Sequence, residues 1–301
     1  MTTEITDGTP RRLGFIGLGV MGFPMAGHLA QAGFELRVFN RTTAKARRWV
    51  DSFGGQLAAS PADLAANSDA VVLCVGDDQD VRALCVGEVG LFAHLPAGAL
   101  VIDHSTTSAA VAQEMAHHAA QREQAFVDAP VSGGQAGAEN GQLSIMLGGT
   151  PAAFERARPV VQTYAKAVRH MGPVGAGQLT KMVNQVCVAG VLQGLAEGLA
   201  FARSAGLDLD AVLAAISQGA AQSWQMENRG QTMARGEFDF GFAVDLMRKD
   251  LGIALRAASE AGATLPVTAL LDQFYAEVQQ QGGGRWDTSS LITRLPGGRV
   301  D

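Results

Sequence analysis

Three polar residues stand together in an otherwise apolar stretch: Lys181, Asn184 and Gln185, within G-P-V-G-A-G-Q-L-T-K-M-V-N-Q at 172–185. Residues three and four apart share a helical face, so a helix here presents all three on one side. A lysine partly withdrawn from water has a lowered pKa and can hold a substrate oxygen and shuttle its proton. Asn184 and Gln185 would orient the substrate or the lysine, and Met182, Val183, Val186 and Val188 supply packing surface. The plain alternative is a solvated lysine in the first turns of a helix. The low local charge and the glycine turn before it favour chemistry.

A second group points to a nucleotide. Gly17-Leu18-Gly19-Val20-Met21-Gly22 spells G-x-G-x-x-G between a short apolar run and a helical pattern. In that context Gly17 permits a tight turn, Gly19 lets a pyrophosphate approach the backbone, and Gly22 lets helix and strand pack closely. The helix N-terminus attracts the phosphates, with Val20 and Met21 lining the loop. An ordinary glycine turn is the bland reading. Where an NAD site places a carboxylate, about 20 residues past the first glycine, this chain has Asn40-Arg41-Thr42, with Lys45 one turn on. A carboxylate would repel a 2′-phosphate, whereas Arg41 offers a planar fork and Thr42 a hydroxyl. NADP(H) is therefore the preferred cofactor, with NAD(H) possible; the alternative is a solvated arginine.

Further loops fall where ligands of open sheets bind. Val75-Gly76-Asp77-Asp78 and Asp103-His104-Ser105-Thr106-Thr107 could line the nicotinamide ribose, although helix capping accounts for Asp77 and for Ser105 or Thr106 equally well. His104 is either a loop histidine without a task or a site-lining residue. Asp128-Ala-Pro-Val-Ser132-Gly133-Gly134 can present a hydroxyl and nearby amides to an anion such as a carboxylate, or serve only as a flexible connector. Lys249-Asp250, with Arg248, could reach the same cleft or form a surface ion pair. Arg229 and Arg235 read as solvated. The six histidines form no H-E-x-x-H or comparable cluster, so no metal is expected.

The elements that must position these residues follow a simple plan. Strand-like runs at 12–17, 34–39, 56–60, 70–75, 99–103, 126–128, 144–147 and 168–171 alternate with helical runs. That alternation predicts a doubly wound, mostly parallel sheet with helices on both faces, an α/β Rossmann domain over 11–175. Beyond it, helical runs at about 178–203, 208–217, 222–234, 244–260 and 266–280 predict an all-α C-terminal domain over 176–295, entered through a long helix. The 301 residues suffice for two domains, with 47% hydrophobic and 17% charged residues. A net charge of -6 without a basic block argues against nucleic acid. Three scattered cysteines fit a reducing cytoplasm. Residues 1–11 hold no apolar leader core, and the apolar runs are interrupted, so no membrane span is expected.

Taken together, the motifs carry a resemblance. F-I-G-L-G-V-M-G-F-P-M-A at 15–26, D-A-P-V-S-G-G at 128–134, the stretch at 172–185 and K-D-L at 249–251 are similar, in order and spacing, to the β-hydroxyacid dehydrogenases. That family includes 3-hydroxyisobutyrate dehydrogenase and 2-hydroxy-3-oxopropionate (tartronate semialdehyde) reductase. The resemblance implies that Lys181 is the general acid/base. It implies that Ser132, Gly133 and Gly134 bind the carboxylate of a small substrate, that Asn184 or Gln185 assists, and that Lys249 lies near substrate and cofactor. Thr106 would approach the nicotinamide side, and the protein would form a homodimer or homotetramer. Lys-x-x-Asn-Gln at 181–185 looks more like the tartronate semialdehyde group than the Lys-x-x-Asn-Asn of many hydroxyisobutyrate enzymes. Imine reductases share the glycine loop but typically lack the lysine. A non-catalytic dinucleotide-binding scaffold is the alternative of another class, disfavoured by intact Lys181, Ser132 and Gly133.

Overall fold

The structure is a computed structural model that describes residues 9–298. Most of the polar N-terminal stretch, residues 1–8, lies outside the described residues. The first half runs β1 (Arg12–Ile16), α1 (Gly22–Gln31), β2 (Glu35–Phe39), α2 (Thr43–Phe53), β3 (Gln56–Leu57), α3 (Pro61–Ala66), β4 (Ala70–Leu73), α4 (Asp78–Cys85) and α5 (Leu91–His94). It continues through β5 (Leu100–Asp103), α6 (Ala109–Ala120), β6 (Ala125–Asp128), β7 (Val131–Ser132), α7 (Gly134–Glu139), β8 (Leu143–Gly148), α8 (Pro151–Val161) and β9 (Ala165–Gly172).

Six strands in the order β3-β2-β1-β4-β5-β6 are mutually parallel, with Leu13 set between Leu36 and Ala70. The chain reverses its direction of travel across the sheet between β1 and β4. Ligands of open sheets bind outside the carboxyl ends of the strands at such a switch point. β8 then joins β6 and β7 antiparallel, and β9 lies parallel along β8.

The central strands are buried on both faces because successive side chains point opposite ways. Phe15, Val72 and Ile102 pack with Met25 and Leu29 of α1, Trp49 of α2 and Val160 of α8. Ile16, Val71 and Val101 pack with Leu64 of α3, Val81 of α4 and Met115 of α6. Each fully buried side chain of this kind contributes about 1.5–3 kcal/mol, so these two layers fix the strand ends rigidly.

The doubly wound reading holds, with local differences. The glycine-rich segment after β6 contains β7 and the short helix α7, and α6 begins at Ala109 behind a Ser108 cap, so Ser105 and Thr106 do not cap it. α8 runs from its Thr150 cap to Val161. Pro159 takes one carbonyl partner from that helix, because it has no N–H to donate.

The second half holds α9 (Ala176–Ser204), α10 (Leu209–Ile216), α11 (Trp224–Arg235), α12 (Val244–Glu260) and α13 (Pro266–Gln280). Its described residues add 3₁₀ turns and one isolated bridge, Ala243–Asp287. Leu192, Leu199, Met233, Met247, Leu251, Leu271, Tyr275 and Ile292 form its core. The chain divides into two compact units, one ending at Lys181 and the other beginning at Met182, so the division falls inside α9. By length and composition α9 could cross a membrane, which the interrupted pattern did not suggest; half of its most apolar window is buried inside the protein.

Two arginines read as available are structural. Arg248 donates to both carboxylate oxygens of Asp272, at 3.0 and 3.1 Å, and so ties α12 to α13. Arg229 is not solvated: it pairs with buried Asp287 at 3.2 Å and lies over the rings of Trp224 and Phe240. Arg235 does stay at the surface, paired with Glu237.

Candidate active site

In the first unit, the expected residues gather at the carboxyl ends of β1, β2, β4, β5 and β6. Gly17, Gly19 and Gly22 differ in what constrains them. Gly17 has φ +98°, and a Cβ there would strike the Cys74 carbonyl after β4. A Cβ on Gly22 would strike the Gly17 carbonyl. At Gly19 no atom of the chain lies within 4 Å of that position. Nothing in the protein itself requires a glycine there, which fits a backbone kept bare for a ligand. α1 follows with Met21 at its N-cap and no side-chain capping bond; the Phe23 N–H donates to the Gly19 carbonyl and Pro24 has no N–H, so α1 offers a phosphate its positive dipole end beside the glycines of the loop. Val20 is exposed beside them, while Met21 packs against the core.

Asn40 holds this loop in place rather than offering itself to solvent. Its Oδ1 accepts from the Leu18 N–H at 2.9 Å, and its Nδ2 donates to the Thr42 carbonyl at 3.1 Å. Thr42 occupies the N-cap of α2 without a side-chain capping bond, and Lys45 is exposed in the first turn. The Arg41 side chain is 93% exposed and lies 3.8 Å from Asp80. The second strand thus ends in an uncapped helix start, a threonine hydroxyl and two cations. Those residues suit a phosphate on the ribose, and the glycine loop suits the pyrophosphate.

The next two strand ends are tied to each other. The Val75 N–H donates to Ser105 Oγ at 2.9 Å, and the Ser105 N–H to Asp103 Oδ1 at 2.9 Å. Asp77 is a helix cap, accepting from Gln79 and Asp80. Thr106 lies beyond β5 in the loop before α6. His104 is buried in the fold, with Nδ1 2.5 Å from the Ala129 carbonyl and Nε2 2.8 Å from the Tyr164 hydroxyl. A carbonyl only accepts, so Nδ1 carries the proton and Tyr164 donates to Nε2. Burial pushes the His104 pKa down to about 4, against a smaller upward pull from the Ala129 carbonyl. It is a neutral structural tie between the β5 and β6 loops.

Ser132 closes β7, opposite Ser144 of β8. Gly133 and Gly134 follow with φ of +137° and +63°, conformations that need glycine. Their amides lead into α7, whose N-cap is Gly133. At the head of the same motif, Asp128 is fully buried. Its carboxylate accepts from the Gly175 N–H at 2.7 Å and the Gln178 N–H at 2.8 Å, anchoring the start of α9. Burial raises the Asp128 pKa, while these backbone bonds oppose the rise. The negative charge suits the positive end of α9. Gln178, also fully buried, donates from Nε2 to the Ser105 carbonyl at 2.8 Å and accepts from the Thr107 N–H at 3.1 Å. Lys181 comes one turn later and is buried, 8% exposed.

In the second unit, Asn184 and Gln185 do not stand as two independent groups. The Asn184 Nδ2 donates to Gln185 Oε1 at 2.8 Å, and the Gln185 Nε2 donates to Asp250 Oδ2 at 2.7 Å. Lys249 Nζ lies 3.3 Å from Asp250 Oδ1. Asp250 is buried, so this is not a surface ion pair. Gln185 positions a carboxylate of α12 in this arrangement. The sequence leaves Asp250 open between reaching the cleft with Lys249 and forming a surface ion pair, and shows Asp128 and Gln178 only as letters of their motifs. A carboxylate or carboxamide inside a glycine-rich or apolar run was the available signal.

Comparison with known proteins matches residues 12–172 to the NAD binding domain of 6-phosphogluconate dehydrogenase. Residues 175–295 match a domain described as NAD-binding of NADP-dependent 3-hydroxyisobutyrate dehydrogenase. An uncharacterized oxidoreductase of Shewanella frigidimarina is 59% identical, over 94% of this chain and 98% of that one. The 2-hydroxy-3-oxopropionate reductase of Escherichia coli is 35% identical, over 94% and 97%. The crystal structure of 3-hydroxyisobutyrate dehydrogenase from Salmonella typhimurium superposes with a TM-score of 0.85 at 31% identity, covering 94% of this chain and 99% of that one.

Proposed function

The chain belongs to the β-hydroxyacid dehydrogenase family, NAD(P)-dependent oxidoreductases, and from that premise we propose that it interconverts a small β-hydroxy acid and its semialdehyde, with NADP(H) preferred. The substrates in view are of the 3-hydroxyisobutyrate or 2-hydroxy-3-oxopropionate type. The observation that carries the reading is Lys181: a buried lysine one turn beyond a helix start that a buried carboxylate anchors.

In this reading the substrate carboxylate accepts from the Ser132 hydroxyl and the Gly133 and Gly134 amides. The Lys181 amine hydrogen-bonds the substrate oxygen. In oxidation it takes the hydroxyl proton as the carbon–oxygen double bond forms, and in reduction it returns that proton to the oxygen. A nicotinamide cofactor, which the glycine loop at 17–22 and the residues ending β2 would hold, would supply or take up the hydride. Within the second unit, Asn184 donates to Gln185, and Gln185 holds Asp250 in place. Preference for the 2′-phosphate is supported by Arg41, Thr42 and Lys45 and by the lack of a carboxylate at the end of β2. The Arg41–Asp80 pair is too exposed to compete strongly with a phosphate.

The test is steady-state turnover of a panel of β-hydroxy acids and semialdehydes with each cofactor, for the native protein and Lys181→Ala. Lys181→Ala is expected to lower kcat by about 10²–10⁴-fold while leaving cofactor binding intact. Retention of most activity, or faster turnover with NADH than NADPH, would refute the corresponding half of the proposal.

A further inference from the structure

We propose that Gln178 is a positioning residue that holds the Lys181 amine and the Thr106 loop in one common frame; this rests on the reading of Lys181 as the acid/base. Gln178 is fully buried, yet three of its polar groups are engaged at once. Its backbone N–H donates to Asp128 Oδ2, its Nε2 to the Ser105 carbonyl, and its Oε1 accepts from the Thr107 N–H. The side chain therefore grips the residues on both sides of Thr106, while the backbone is gripped by the head of the loop that carries Ser132. Lys181 follows three residues later, about 4.5 Å along the helix axis.

A buried carboxamide is costly unless every group is satisfied, and an apolar side chain of similar volume would pack here more cheaply. What the carboxamide adds is directional. It donates to one peptide and accepts from the next, so it fixes the rotation of the Thr106 loop as well as its distance from α9. Ser105 in turn accepts from the Val75 N–H, which extends the same frame to the β4 loop. Gln178 touches no reacting atom in this scheme; it acts through Lys181 and Thr106.

The experiment compares Gln178→Leu, Gln178→Glu, Lys181→Ala and Val160→Ala, a core truncation in α8 that serves as a stability control. Misplacing reacting groups by about 1 Å costs on the order of 10²-fold in rate. Gln178→Leu is therefore expected to lower kcat about 30–100-fold, with KM for the carboxylate substrate changed less than about threefold. Gln178→Glu carries the sharper signature. A protonated glutamic acid can accept from Thr107 and donate to Ser105, as the amide does, whereas the carboxylate cannot donate. Burial raises such a pKa. Its kcat should therefore rise as pH falls, along an ionisation limb that the native enzyme lacks.

If Gln178→Leu fails to fold, the Gln178→Glu profile decides. The inference is overturned if Lys181→Ala is inactive while both Gln178 variants keep kcat within about twofold and show no new limb. It is also overturned if Val160→Ala reproduces the kcat loss at an equal drop in Tm. An active Lys181→Ala would instead remove the reading of the lysine on which the inference stands.

Discussion

Each glycine of the phosphate loop is constrained differently, and the difference can be measured. An alanine at Gly17 or Gly22 meets backbone carbonyls, so either change should lower Tm before any ligand is added. An alanine at Gly19 meets no atom of the chain within 4 Å. Gly19→Ala should therefore leave the Tm of the ligand-free protein unchanged and weaken NADPH binding by about tenfold or more, ~1.4 kcal/mol. Calorimetric titration and a thermal melt on the same sample check both halves, and a Tm loss without an affinity loss would refute the assignment. At Asn40 the outcome is different. Its carboxamide already bonds Leu18 and Thr42, so its contribution to the nucleotide site is to shape the loop.

Among the elements, α9 depends most on residues distant in sequence. Asp128 satisfies amides at its start across 47 and 50 residues of chain. Asp128→Asn replaces one acceptor oxygen with a donor and leaves a buried N–H unpaired, which costs about 1–3 kcal/mol. Calorimetry should show the corresponding drop in Tm, and turnover should fall with it; an unchanged Tm would mean that another group caps the helix. This dependence also marks what the sequence could and could not reveal. The glycine loop, the β/α alternation and the Lys181 helix were legible because spacing over 4–20 residues encodes them. β7 and α7 were not, because glycine-rich segments carry no periodicity. Gln178 reads as an ordinary polar helix residue until the fold brings Ser105 and Thr107 to it, 73 and 71 residues away. Gln185 was expected at the substrate, and only the placement of α12 shows it bonded to Asp250.

At the scale of the whole molecule, buried titratable groups set a pH window for stability. The pKa of His104 falls from 6.5 to about 4 in the native protein. Between those values the unfolded chain takes up a proton that the folded chain does not. Its contribution is fully present above about pH 6.5 and lost as pH falls through about 4, on the order of 3 kcal/mol in all. Asp128, with its raised pKa, works in the opposite sense across the carboxylate range. Urea unfolding at pH 7.5 and 4.5 should show the loss, and the same comparison on His104→Asn should show a smaller one. Equal slopes in the two proteins would contradict it. The passage from the first compact unit to the second within α9 has a different kind of consequence. Where a loose linker joins two units, added or deleted residues are absorbed by slack. Here the passage is a helix anchored at Asp128 and Gln178, and each residue turns it by about 100°. One residue inserted between Gln178 and Lys181 would turn the lysine by about 100° around the helix axis, away from the side it now faces, while its own side chain stayed the same. Lineages of this protein should therefore vary freely in the identity of exposed residues such as Val183 and not at all in the number of residues that separate the anchor from the lysine.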